Sequence, residues 1–151
     1  MTSILFLCHG NICRSPMAEF VMKDLVHRAG RDHEFVIDSA AVSLEEIGNP
    51  IYPPAQRTLR AHGIPFTDHR ARRVTLDDYH RYELLVCMDE SNIRLLRYII
   101  AQEPDADRVR LLLSFAGNPR SVADPWYTDD FETTFRDLLE GCTALLASIG
   151  D

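Results

Sequence analysis

Residues 4–7, Ile-Leu-Phe-Leu, are apolar without a break and stop at Cys8. A run that is apolar on both alternating faces, and too short for a helix, reads as a strand covered on two sides. Such strands belong to parallel sheets with helices on each face. The next residues, Cys-His-Gly-Asn-Ile-Cys-Arg-Ser over 8–15, lead to Pro16. Pro16 sits in the first turn of a helix expected over 16–29, where a missing N–H costs nothing. Met17, Phe20, Val21, Leu25 and Val26 share one face of that helix, and Gly30 is its expected stop.

A loop between a strand end and a helix start has backbone N–H groups with no partner in either element. They can converge on one point, where the helix terminus adds partial positive charge. Gly10 and Asn11 suit a positive φ in such a loop. Arg14 can fold over the same concavity with a planar fork of donors. The result is a cradle for a tetrahedral dianion with Cys8 at its floor, where these groups favour the thiolate. A thiolate beneath a bound phosphate is a nucleophile in line with a P–O bond, and Ser15 is placed to hydrogen-bond the sulfur when it leaves.

The rest of the chain alternates in the same way. Strands are expected over 34–39, 82–88 and 109–113, and helices over 54–62, from a cap at Asp89 or Ser91 to about Ala101, and over 131–149. The last helix carries Phe135, Leu138, Leu139, Cys142 and Leu145-Leu146 as its stripe. Residues 46–54 and 114–130 read as loops. Strand and helix in alternation give an α/β fold, an open parallel sheet of four strands. Ligands of such sheets bind beyond the carboxyl ends of strands, which is where Cys8 lies. One domain over 1–151 fits the length.

Phosphoryl transfer to Cys8 also needs an acid for the leaving group. Residues 124–131, Asp-Pro-Trp-Tyr-Thr-Asp-Asp-Phe, offer Asp124, held extended before a proline. Trp126 and Tyr127 can wall a slot for a flat substrate, while Asp129 and Asp130 read as acids at a helix N-terminus.

The formal charge of −7 disfavours general nucleic-acid binding. No apolar run approaches the roughly 20 residues of a membrane span, and residues 1–8 enter a strand pattern without a charged leader. A cytoplasmic protein with no membrane or nucleic-acid partner is expected. Cys8, Cys13, Cys87 and Cys142 form no zinc spacing, and reduced thiols are expected. Cys13 is either a redox partner of Cys8 or a small filler. Cys87 and Cys142 read as core. His27, His33, His62 and His80 show no pairing, and the stretch from His69 to Arg73 reads as a solvated basic face.

Over nearly its whole length the chain resembles the low-molecular-weight protein tyrosine phosphatases. The motifs are LCHGNICRSPMAE, DSAAVS, EIGNP, HGIP, CMDESN and DPW followed by DFE. The resemblance implies a four-stranded parallel sheet with helices on both faces. It implies Cys8 as nucleophile, Arg14 as phosphate ligand and Asp124 as general acid and then base. His9, Gly10, Asn11, Ile12, Cys13 and Ser15 would complete the phosphate-binding loop, with His9 at the rim. Asn11, Ser39 and His69 would hold that loop, and Asp89 would orient Arg14. The spacing around His69 is one residue longer than the family's. Where the family usually places an aromatic, this chain has Glu45, so Leu44 and Glu45 would form the wall opposite Trp126 and Tyr127. Tyr52 would either restore an aromatic or pack. No cofactor and no metal are implied; the partners are phosphotyrosine proteins, with a tyrosine kinase as a further candidate.

Three rivals share features of the loop. An arsenate reductase needs more cysteines near Cys87 than the chain has. A protein-arginine phosphatase typically carries threonine where Ile12 stands. A phosphocysteine carrier should lack an acid such as Asp124.

Overall fold

Alternation along the first strand, β1 (Thr2–Cys8), organises two cores. Ile4, Phe6 and Cys8 point into one, Leu5 and Leu7 into the other, none more than 3% exposed. This two-sided burial is what an unbroken apolar run requires. The structure, a computed structural model, describes residues 1–150; Asp151, the last residue of the expected domain, lies outside them.

After β1 the chain forms α1 (Arg14–Arg28), β2 (Phe35–Ala41), α2 (Pro53–Ala61), α3 (Leu76–Arg81) and β3 (Leu84–Cys87). Then come α4 (Glu90–Ile100), β4 (Val109–Leu111), α5 (Pro125–Thr128) and α6 (Phe131–Ile149). The four strands make one parallel sheet in the order β2-β1-β3-β4. Helices α1, α2 and α6 cover one face, and α3 and α4 the other. The chain leaves β1 toward β2 and leaves β3 toward β4. The carboxyl ends of β1 and β3 therefore flank the point where the strand order reverses, where a crevice opens.

Several elements differ from the sequence expectation. Helix α1 begins at Arg14, two residues before Pro16, so that Arg14 belongs to the helix that supports it. Strand β4 stops at Leu111, and Leu112–Ala116 tighten into a 3-10 turn. Helix α3 is set by a capping box between Thr75 and Asp78 rather than by a repeating apolar face. Helix α5 is a single turn capped by Asp124. Leu139 lies off the buried stripe of α6, at 38% exposure. Gly30 adopts φ 68° at the end of α1. No helix among the described residues is long and apolar enough to cross a membrane.

Candidate active site

The sulfur of Cys8 is the point on which the loop converges. The backbone N–H groups of Asn11 and Ser15 point at it from 3.3 and 3.4 Å, and Ser15 Oγ lies 3.0 Å away. Ser15 Oγ also accepts from Asn11 Nδ2 at 2.8 Å. With that lone pair engaged, the hydroxyl proton is free to turn toward the sulfur, which suits a thiolate.

Asn11 holds the loop in shape. It is fully buried and takes φ 62°, a conformation Asn tolerates better than most residues. Its Nδ2 donates to Ser39 Oγ at 3.0 Å as well as to Ser15. Its Oδ1 accepts from His69 Nε2 at 3.0 Å and from the Arg72 N–H at 3.2 Å. His69 thus reaches the loop directly. Gly10 does not take the positive φ expected of it. Its role is close approach: a Cβ there would lie 3.2 Å from Glu46 Cγ.

Glu19, a member of the network that the sequence did not reveal, sits on α1. It is 3% exposed, accepts from Ser39 Oγ at 2.6 Å and pairs with Lys23 at 2.6 Å. His69 Nδ1 lies 3.7 Å from it. Its only sequence signal is the i, i+4 spacing to Lys23, which marks any solvated helix face.

Arg14 is 3% exposed. Its Nη1 reaches Asp89 Oδ2 at 2.9 Å and the Val122 carbonyl at 3.3 Å, and its Nη2 reaches Asp124 Oδ2 at 3.3 Å. Burial works against its charge, but Cys8, Asp124 and Asp89 outweigh burial and raise its pKa. Burial also opposes the charge of Asp89, while Ser91, Arg14 and the Asn92 N–H hold its carboxyl below the usual range. Cys13 is buried, and burial, then the neighbouring Cys8, push its thiol up to about 12. Cys87 and Cys142 are fully buried, and burial raises both thiols.

Cys8, Gly10, Cys13, Arg14, Asp89 and Ser91 border a cleft of about 480 Å³. Ile12, Asp124, Trp126, Tyr127, His9, Glu45 and Glu46 complete its lining. Trp126 is 58% exposed and Tyr127 85%. Tyr52 packs behind Trp126, with ring centroids 5.3 Å apart, and stacks on Phe131. It therefore backs the aromatic wall instead of replacing the missing one. Leu44 does not line the cleft: its side chain turns to solvent, and Glu46, folded over Gly10, takes that place. His9 is at the rim, 2.9 Å from Glu45.

Two of the supposedly unpaired histidines have partners: His27 meets Asp32 at 2.9 Å, and His62 meets Glu132 at 2.8 Å while stacking on Phe135. Arg72 leaves the solvated basic face to pair with Asp78 at 2.8 Å and Asp38 at 3.5 Å. Asp130 caps α6, but Asp129 ends α5.

An open parallel sheet whose first strand delivers a cysteine into a C-x5-R-S anion cradle defines a class, the cysteine-dependent phosphatases. The family model for low molecular weight phosphotyrosine protein phosphatase matches residues 3–151. The chain is 41% identical over 149 residues to the low molecular weight phosphotyrosine protein phosphatase of Gallus gallus, covering 95% of this chain and 93% of that one. Against the low molecular weight protein-tyrosine-phosphatase YfkJ of Bacillus subtilis it is 38% identical, covering 99% and 96%. The crystal structure of YfkJ superimposes with a TM-score of 0.93, covering 99% of this chain and 94% of that one. A drosophila arginine phosphatase structure, 27% identical, gives 0.87 and covers 100% and 99%. The chain belongs to the low molecular weight phosphotyrosine protein phosphatase family.

Proposed function

We propose that the protein hydrolyses protein phosphotyrosine and small aryl phosphates through a cysteinyl-phosphate intermediate, without a metal. The observation that carries this reading is the convergence on one cleft of the Cys8 sulfur, its two backbone donors, the Arg14 guanidinium and the Asp124 carboxyl group.

Cys8 attacks phosphorus as the thiolate, and the bond to the phenolic oxygen breaks. Asp124 gives that oxygen its proton. A bound phosphoryl dianion competes with Asp124 for Arg14, which frees the carboxyl group to face the leaving oxygen. Water then attacks the cysteinyl phosphate, Asp124 takes its proton, and the sulfur leaves as thiolate, accepting from Ser15. Arg14 and the loop amides stabilise the equatorial oxygens in both steps. These donors supply the positive charge a metal would bring. Asn11, Ser39, His69 and Glu19 keep the amides aimed, and Asp89 keeps Arg14 turned inward.

Ile12, Trp126 and Tyr127 give the cleft apolar and aromatic lining that suits an aromatic ring, which favours phosphotyrosine over phosphoarginine. The partners under this reading are phosphotyrosine proteins and the tyrosine kinase that makes them.

The test uses kcat/KM, which reports phosphoryl transfer to Cys8. Cys8→Ser is expected to abolish turnover while phosphate still binds. Asp124→Ala is expected to lose about 10²–10⁴ with a poor leaving group and far less with a good one. Ile12→Thr should raise phosphoarginine activity relative to phosphotyrosine. Turnover retained in Cys8→Ser would remove the mechanism, and a wild type that prefers phosphoarginine would remove the ring slot.

A further inference from the structure

The segment that delivers Asp124 has no regular structure of its own: residues 117–124 belong to no helix or strand. Helix α5, which follows, is one turn and cannot hold a fixed position unaided. Yet both backbone groups of Ala123, the residue before Asp124, are held by side chains of α6. The Ala123 N–H donates to Asp137 Oδ2 at 3.0 Å, and the Ala123 carbonyl accepts from Thr134 Oγ1 at 2.8 Å.

Thr134 and Asp137 are three residues apart and so share a face of α6. They are 0% and 6% exposed. Arg120 closes the strap from the other end, with Nη2 at 2.8 Å from Asp137 Oδ1 and Nη1 at 3.0 Å from Oδ2. Val122, one residue earlier, donates its N–H to the Met88 carbonyl at 2.9 Å and offers its own carbonyl to Arg14. The peptide before Asp124 is thus fixed to α6 on one side, and to the end of β3 and the phosphate ligand on the other.

We infer that Thr134 and Asp137 are positioning residues for leaving-group protonation, setting where Asp124 stands over the Cys8–Arg14 cradle. The other bonds of Asp124 do not tie it to the body of the fold: its carbonyl accepts from Tyr127 and Thr128 within the single turn of α5, and its carboxylate is spent on Arg14 and on capping Trp126. Proton transfer needs heavy atoms in hydrogen-bond range, and a misplacement of about 1 Å can cost roughly 10²-fold. A helix face that only packed against a loop would bury apolar groups. This one brings two buried polar side chains to both backbone groups of a single residue, one of them shared with Arg120.

The inference rests on the role of Asp124 proposed above. The experiment compares kcat/KM for phenyl phosphate, a poor leaving group, with that for 2,4-dinitrophenyl phosphate, a good one. The variants are Asp124→Ala, Thr134→Val, Thr134→Ser and Asp137→Ala, with phosphate inhibition as a measure of the cradle. Thr134→Val, nearly isosteric, is expected to lose about 10-fold on the phenyl ester and under about 2-fold on the dinitrophenyl ester. Phosphate inhibition should not change, and Thr134→Ser should restore the rate. Asp137→Ala should follow Thr134→Val; if it does not fold, Thr134→Val decides. A loss equal on both esters, or none, in Thr134→Val while Asp124→Ala is selective would overturn the strap alone. A non-selective Asp124→Ala would overturn the acid assignment, and the strap with it.

Discussion

Asn11 binds three parts of the chain through one short side chain: its own loop at Ser15, β2 at Ser39, and the segment before α3 at His69 and Arg72. The residues of the loop were legible because their chemistry is local. A cysteine ending a strand and an arginine opening a helix need no distant partner to be recognised. Glu19 was not legible, because what distinguishes it from a surface acid is contact with Ser39 and His69, which only the packed fold supplies. Cys13 stays within the local range, and its raised thiol bears on oxidation. Peroxide converts a thiolate to a sulfenic acid; the raised Cys13 thiol stays protonated, while the Cys8 sulfur sits among N–H donors that favour its thiolate, so Cys8 should react before Cys13. In the redox role proposed for Cys13, its thiol then attacks that sulfenic acid, the S–S bond forms and water leaves. Oxidation removes the Cys8 charge that helps hold the Cys13 thiol protonated, though burial remains. After a brief peroxide pulse, dithiothreitol is expected to restore activity far more fully in the wild type than in Cys13→Ser, and bound phosphate should slow the inactivation. Equal recovery in the two proteins would leave Cys13 as a filler of the loop.

Among the elements, α6 does the most varied work. Its stripe of Phe135, Leu138, Cys142 and Leu145 fills one core, and its Thr134 and Asp137 hold the Asp124 segment. It also passes close to the 3-10 turn that follows β4. At Gly141 a Cβ would lie 2.4 Å from Leu112 Cγ, and Leu112 is fully buried with nowhere to turn. Gly141→Ala gains roughly 1 kcal/mol of helix propensity but overpacks a closed site, which typically costs about 1–3 kcal/mol. The net expectation is destabilisation, read as a lowered thermal midpoint. In a double-mutant cycle with Leu112→Ala, the two changes should be non-additive, since the smaller side chain makes room for the methyl group. Additive losses would show that the close approach does not limit packing there. The long elements were legible because periodic burial repeats over several turns or strand residues. Helices α3 and α5 were not. Each is too short to show a period, and each is set by a cap, Thr75 with Asp78 and Asp124 with the Trp126 N–H. The end of β4 was misplaced because Leu111, Leu112 and Leu113 are buried alike, so apolarity alone gives no boundary.

Across the whole molecule, three carboxylates join parts that the sheet does not. Asp78 accepts from the Thr75 N–H in the capping box of α3 and holds Arg72, Asp89 caps α4 and holds Arg14, and Asp137 ties α6 to Arg120 and Ala123. In each, burial opposes the charged form, but the guanidinium and the hydrogen-bond donors prevail and hold the carboxyl below its ordinary value. A group depressed in the folded state binds its proton more readily when unfolded. It therefore contributes stability that is fully present above the unfolded value, about 3.9 for aspartate, and is lost as pH falls through the folded value. The protein should hold its thermal midpoint from pH 7 to about 5 and lose it steeply below about 4. The surplus of acidic over basic residues, a formal −7, works in the same range without producing that fall. Protonating dispersed surface acids first relieves mutual repulsion, which stabilises rather than unfolds. Asp137→Asn separates the two effects. It removes one titrating tether while changing the net charge by a single unit, so the fall below pH 4 should become shallower and the plateau lower. An unchanged slope in Asp137→Asn would assign the acid transition to the dispersed charge instead of the tethers.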